Sequence, residues 1–174
     1  MRLDRTRFGA FFSELVHVVR NAVDHGIERP EERLKSHKPP HGTLTLRAFT
    51  TGNELDIEVE DDGAGIDWEA IRRAAKAGNL PHRTQADLLD ALCQDGLTTR
   101  SEVTALSGRG VGMAAFRQRV ITMHGTLEVK STRGRGTIWR VRFPAADASQ
   151  SARSGVFAPR SAPKPALVEG SEQH

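Results

Sequence analysis

Apolar and polar positions along the chain follow two different periods, and the switches between them outline the fold. Phe8, Phe11, Phe12, Leu15, Val19, Ala22 and Val23 recur at i, i+3 and i+4, the spacing of a helix that buries one stripe. His17, Asn21, Asp24 and His25 fall on the opposite face. A surface helix usually carries long charged chains there; these short polar groups suit ligation of a cation or contact with an anion. The predicted helix packs by its back and offers a polar site on its front. The plain alternative, histidines and an asparagine on a wet face, has to be weighed against the rest of the chain.

After Gly26, Pro30 and the acids that follow predict a short helix, which Pro39 and Pro40 stop. Residues 43–50 alternate strictly, with Leu44 and Leu46 on one face. After a Thr51-Gly52-Asn53 turn, residues 54–60 alternate again with Leu55, Ile57 and Val59 inward. So short a link predicts an antiparallel hairpin. The second strand runs directly into Asp61-Asp62-Gly63-Ala64-Gly65-Ile66. Asp67 is the expected N-cap of a helix through Ile71 and Ala75 that Gly78 closes, and Thr84 with Asp87 forms a capping box before another. Residues 95–110 are polar and glycine-punctuated with no period, the signature of a lid. A helix then opens at the cluster Gly108, Gly110 and Gly112, with Val111, Ala115, Val120 and Met123 expected inside. Strands over 126–132 and 137–143, joined at Gly134–Gly136, close a domain spanning 1–144. Residues 145–174 turn to Ala, Ser, Pro and Gly and are expected to be a disordered tail whose PRSAPKP stretch is a linker.

Composition narrows the partners more than the chemistry. A chain of 174 residues and 19.1 kDa suits one domain. Its 25 basic residues are scattered among 22 acidic ones, and no basic run with interleaved aromatics appears, so nucleic-acid binding is not expected. No apolar run approaches the about 20 residues of a membrane span, nor does a signal-peptide core follow Met1. The expectation is a cytoplasmic protein without membrane insertion. The lone Cys93 leaves no internal disulfide and no cysteine-cluster metal site; it reads as a small helix residue without a role.

Three further motifs carry chemistry. Asp61 stands at the end of a strand beside Gly63 and Gly65, which permit a sharp turn and close ligand approach. A fixed carboxylate there can accept a hydrogen bond from an amino group such as the exocyclic amine of adenine, a contact of about 1.5–3 kcal/mol. The plain reading is an ordinary Asp-Gly turn. Gly108-Arg109-Gly110-Val111-Gly112 opens a helix, where bare N–H groups make a phosphate site. No strand precedes it, so it is not a dinucleotide fingerprint, and it lacks the ending of a Walker loop. Gly134-Arg135-Gly136-Thr137 serves as a hairpin turn that could also bring the Thr137 hydroxyl near the adenine-binding carboxylate.

The joint order of these parts, with HVVRNAVDHGIERPEERL, the DDGAGID box and LSGRGVGM, resembles the ATP-binding domain shared by histidine kinases, gyrase and MutL. Within that superfamily it is most similar to the catalytic domain of CheA-type chemotaxis kinases, from about Leu3 to Pro144. The resemblance implies a two-layer α/β sandwich with helices on one face of a mixed sheet, and Mg²⁺ and ATP as ligands. By position, Asn21 matches the asparagine that coordinates Mg²⁺ on the triphosphate. His17, Arg20, Asp24 and His25 match neighbouring nucleotide-contact positions. Asp61 matches the adenine-reading aspartate, with Gly63, Gly65 and Ile66 shaping the pocket floor. Residues 95–109 match the lid, Gly108, Arg109, Gly110, Val111, Gly112 and Met113 its phosphate side, and Thr137 a position close to the base.

The resemblance also bears on the reaction. ATPases of this superfamily place a glutamate one helical turn before the metal asparagine, as base for water; here that position is His17. Glu14 lies two turns before Asn21, roughly 10 Å along a helix. Without a carboxylate base, transfer to a histidine on a separate phosphotransfer domain, with a response regulator downstream, is the expected activity, and His17 is the candidate base. Two departures from the family pattern, Leu97 in the lid and Ala114 after Gly-Met, touch turnover more than binding. They leave a nucleotide-binding regulatory module without transfer as the alternative, and a free ATP hydrolase as a third. Of the other histidines (His37, His41, His82, His124 and His174), none lies in an amphipathic helix resembling an acceptor bundle.

Overall fold

The computed structural model describes residues 5–94 and 111–144; the expected lid and tail lie outside them. The first helix, α1, runs Arg5–Asn21 and continues as a π-helical turn, Ala22–Gly26. After α2 (Pro30–Lys35) come the strands β1 (Leu44–Thr51) and β2 (Glu54–Asp61), the helices α3 (Trp68–Ala77), α4 (Gln85–Leu92) and α5 (Val111–Thr122), and the strands β3 (Thr126–Thr132) and β4 (Gly136–Pro144).

Local signals set most of these boundaries. Pro30 occupies the start of α2, where its missing N–H costs nothing. Asp67 caps α3 by accepting from the Ala70 N–H at 2.9 Å, and Gly78 ends it. Thr84 and Asp87 exchange side-chain hydrogen bonds with each other's backbone at the start of α4, as the capping box requires.

The four strands pair in the order β1-β2-β4-β3. All three ladders are antiparallel, so the sandwich forms as expected but the mixed sheet does not: no parallel pair occurs among the described residues. The reason is connectivity. Both hairpins return on themselves, and the long excursion through α3, α4 and α5 brings β4 back beside β2 in the opposite direction.

The core forms where α1 and α5 cover β2 and β4. Phe11, Val18, Phe116, Ile57, Val59, Val120, Val141 and Phe143 are essentially inaccessible. The Phe11 ring meets Phe143 edge-on at 4.9 Å between centroids, and Phe8 meets Phe143 at 5.4 Å, arrangements that aromatic quadrupoles favour. A satellite cluster of Ile71, Ala75, Leu88 and Ala91 joins α3 to α4. Among the described residues no apolar core cluster covers the other face of the sheet. There Arg47, Glu58, Arg140 and Glu128 stand side by side across the four strands, alternating in charge. Asp56, two residues before Glu58 on the same face of β2, is buried and accepts from Arg142 Nε at 3.0 Å. This accounts for β2 being buried on both sides while reading as half-charged.

Several expected core positions shift. Val23 is 55% exposed, and Val18 is buried in the stripe instead. The buried series runs Phe11, Leu15, Val18 and Ala22, with Ala22 still on the stripe as the first residue of the π turn, so Val23, one position on, is turned about 100° away from it. Leu46 is 55% exposed because β1 is the sheet edge and the helices sit over its neighbours. On α5, Met113 and Phe116 are buried and Ala115 only partly. Cys93 follows α4 as its cap and is buried, which pushes its thiol pKa up to about 12.

Candidate nucleotide site

Strand pairing places the candidate base-reading group. Asp61 ends β2 directly opposite Thr137 on β4, and both are buried, at 5% and 6% exposure. The Asp61 Oδ1 accepts from the Gly63 N–H at 3.0 Å. Burial pushes the Asp61 carboxyl above its usual value; the Gly63 and Thr137 N–H groups pull it back, while the Asp62 and Glu28 carboxylates add to the upward push. Among the described residues no cation forms an ion pair with Asp61; the nearby Arg33 and Lys38 are committed to Glu28 and Asp62. The result is a buried acceptor without a positive partner, suited to an N–H donor.

Two glycines make that placement possible. A Cβ on Gly63 would stand 2.1 Å from the Gly26 carbonyl oxygen and 2.9 Å from Asp61 Oδ1. This turn therefore packs directly on the end of the π segment, and the Ala64 N–H donates to the same Gly26 oxygen at 2.7 Å. Gly65 has φ +74, a left-handed conformation that side chains rarely adopt, and its α-carbon faces the Thr132 carbonyl.

A hydroxyl that the sequence reading did not single out completes the floor. Ser131 Oγ accepts from the Ile66 N–H at 2.7 Å and lies 3.0 Å from Thr137 Oγ1 and 3.1 Å from the Gly136 oxygen. It ties the expected pocket residue Ile66 to Thr137. In sequence, Ser131 is one polar residue on the alternating strand β3, and nothing there marks it.

The polar face of α1 reaches the other side of the site. His17 lies against the start of α5: a Cβ on Gly112 would stand 2.3 Å from its ring. Its Nε2 is 3.7 Å from Glu14 Oε2, one helical turn back. Asn21 ends α1, half-buried, one turn beyond His17. Arg20, Asp24 and His25 are exposed on the same helix end. Met113 instead faces the core at 7% exposure. The backbone of Val111 opens α5, while Gly108, Arg109 and Gly110 lie outside the described residues. The structure thus brings Asp61, Gly63, Gly65, Ile66 and Thr137 together, and joins His17 to Gly112.

No group of three or more His, Cys, Asp or Glu that could hold a metal occurs among the described residues. That donor chemistry fits Mg²⁺ only as a shared ion: one amide oxygen from Asn21, with phosphate oxygens and waters supplying the rest.

Residues 12–147 match the family described as histidine kinase-, DNA gyrase B- and HSP90-like ATPases. The Gliding motility regulatory protein of Myxococcus xanthus is 40% identical over 82% of this chain and 19% of its own length. The Chemotaxis protein CheA of Bacillus subtilis is 36% identical over 82% of this chain and 22% of its own. The chain therefore spans about a fifth of these relatives. Among solved structures, the mycobacterial sensor histidine kinase MprB aligns at 17% identity and a TM-score of 0.49, over 82% of this chain and 74% of that one. The chain belongs to the histidine kinase-, DNA gyrase B- and HSP90-like ATPase family, with Chemotaxis protein CheA of Bacillus subtilis among its relatives.

Proposed function

We propose that the chain is the Mg-ATP-binding catalytic domain of a CheA-like histidine kinase, transferring the γ-phosphoryl group to a histidine on a separate phosphotransfer domain. The observation that carries the reading is Asp61, a buried carboxylate that pairs with no cation among the described residues, held opposite Thr137 with Ser131 behind it. It is placed to accept from the exocyclic amine of adenine, and the Thr137 hydroxyl lies beside it for the ring edge. Asn21 supplies an amide oxygen for Mg²⁺, and the start of α5 faces the same side of the site as His17. When bound, Mg²⁺ neutralises phosphate charge.

In the transfer, a ring nitrogen of the acceptor histidine forms the N–P bond as the bond from the γ-phosphorus to the bridging oxygen breaks, leaving ADP. The proton of the attacking imidazole passes to His17, whose ring lies beside the helix start and next to Glu14. That residue occupies the position where a hydrolytic relative needs a carboxylate, which favours an imidazole acceptor over water. A response regulator would take the phosphoryl group onward.

Calorimetry with ATP and ADP, with and without Mg²⁺, tests the binding half on wild type, Asn21→Ala and Asp61→Asn. Binding whose Mg²⁺ dependence disappears in Asn21→Ala and which weakens overall in Asp61→Asn is expected. A folded wild type that binds neither nucleotide would remove the proposal. Labelled ATP offered with an acceptor domain tests the transfer half. Label on the acceptor is expected; binding without label would leave the regulatory module, and phosphate release without acceptor would make the chain a hydrolase. His17→Ala with full transfer would exclude His17 as base.

A further inference from the structure

Between the π turn and β1 the chain carries no expected site residue, yet two of its charged groups, Arg33 and Lys38, have every donor engaged. Arg33, on α2, is fully buried at 0% exposure, a rare place for a guanidinium unless it is paired. All five of its N–H donors are used. Nε donates to the Pro39 oxygen at 2.8 Å, and one terminal nitrogen to Glu28 Oε2 at 3.1 Å and the Asp62 oxygen at 3.2 Å. The other terminal nitrogen donates to the His41 oxygen at 3.2 Å and Asp62 Oδ2 at 2.8 Å. Lys38 likewise spends three donors: on Glu28 Oε1 at 2.7 Å, the Asp62 oxygen at 2.9 Å and the Gly63 oxygen at 2.8 Å. Thr43 holds the same turn from its other side, donating to Asp62 Oδ1 at 2.8 Å and accepting from the Asp62 N–H at 3.2 Å.

Every one of these contacts converges on Asp62 and Gly63, the two residues after the candidate base-reading carboxylate, or on the segments that carry Arg33 and Lys38. Two cations meet two acids, so the cluster is neutral. Its surplus donors go to backbone carbonyls instead of to Asp61. We propose that Arg33, Lys38 and Glu28 are positioning residues for base recognition: they fix the Asp62 and Gly63 carbonyls, which holds the Gly63 N–H on Asp61 and leaves that carboxylate without a cation. This rests on the nucleotide reading above and deepens it, since it assigns the choice of base to side chains outside the pocket. A lysine or arginine free to swing onto Asp61 would block the acceptor. Glu28 prevents this by holding both Lys38 and Arg33.

The test compares three probes on the folded chain: ATP, purine riboside triphosphate, which lacks the exocyclic amine, and inorganic tripolyphosphate. Wild type should prefer ATP over the amine-less analogue by at least about tenfold, the span of one charge-assisted hydrogen bond. In Lys38→Met that preference should fall to within about threefold while tripolyphosphate affinity is unchanged, a split that loosened folding alone would not produce. Glu28→Gln keeps size and one acceptor and should show the same split, so it carries the test if Lys38→Met does not fold. Folded variants that keep the wild-type preference would overturn the positioning role while leaving the nucleotide reading intact. Equal losses for all three probes would make the cluster merely structural and also overturn it. A wild type with no preference would remove base reading by Asp61, and the positioning role with it.

Discussion

Replacing Gly63 by alanine probes the site at its narrowest point. The new Cβ would stand 2.1 Å from the Gly26 carbonyl oxygen and 2.5 Å from its carbon, where real Cβ atoms essentially never come within 3.0 Å. The gap must open by about 1 Å, and both sides of it are backbone. Gly26 is held by the Ala64 N–H at 2.7 Å, and Gly63 by Lys38 at 2.8 Å, so neither yields freely. Overpacking of this kind costs about 1–3 kcal/mol, and losing the Ala64 hydrogen bond adds about 1 kcal/mol. A total of about 2–4 kcal/mol corresponds to a melting point lower by roughly 8–15 °C for a domain of this size. The effect on binding is separate. A 1 Å shift moves the Gly63 N–H off Asp61 Oδ1 and turns the carboxylate, so about 1.5–3 kcal/mol of the base contact is lost and ATP binds roughly 10–150-fold more weakly. Calorimetry at about 10 °C, with circular dichroism confirming the fold, separates the two. A folded Gly63→Ala that binds ATP within about threefold of wild type would refute the claim that this turn sets the Asp61 carboxylate.

Other predictions follow from burial and charge. Because burial raises the Asp61 pKa, the folded state disfavours its ionised form, so this group's contribution to stability falls as pH rises from the usual aspartate range of about 3.9 through the raised value. Asp61→Asn removes that loss: its melting point relative to wild type should climb as pH rises above the usual aspartate range, and a flat difference would contradict the assignment. Phe11→Ala empties the centre of the ring cluster, where Phe11 is 0% exposed, and should cost about 3–5 kcal/mol in urea unfolding; less than about 1 kcal/mol would mean the core is elsewhere. Cys93 is 2% exposed with its thiol pushed up to about 12, so it should resist iodoacetamide at pH 8 until the chain is denatured. Rapid native labelling would refute its burial.

Most of the fold was legible because local rules govern it. The caps at Asp67 and Thr84, the Pro30 start and the two hairpins each depend on residues within a few positions of one another. What failed was what depends on distant partners. The exposure of Leu46 follows from β1 being an edge, which its own alternation does not disclose. Val23 lies off the stripe because the buried series runs Leu15, Val18 and Ala22, and the row of apolar residues in sequence does not choose between Val18 and Val19. The site divides the same way. Asp61, Gly63 and Gly65 announce themselves through backbone needs that only certain residues meet. Ser131 does not, because its role depends on Ile66, 65 positions away in sequence. Arg33 illustrates the limit best. In the sequence it stands among Arg29, Glu31, Glu32 and Lys35, and any of these suits a solvated helix. Only the fold shows that this one is buried with all five donors engaged, two of them on Asp62 in the turn beside Asp61. A charge run therefore carries two kinds of residue that look alike in sequence. Surface pairs such as Arg72 with Glu69 contribute little. A saturated buried cation such as Arg33 decides where a neighbouring carboxylate points, so substitutions at the two should separate sharply in nucleotide binding.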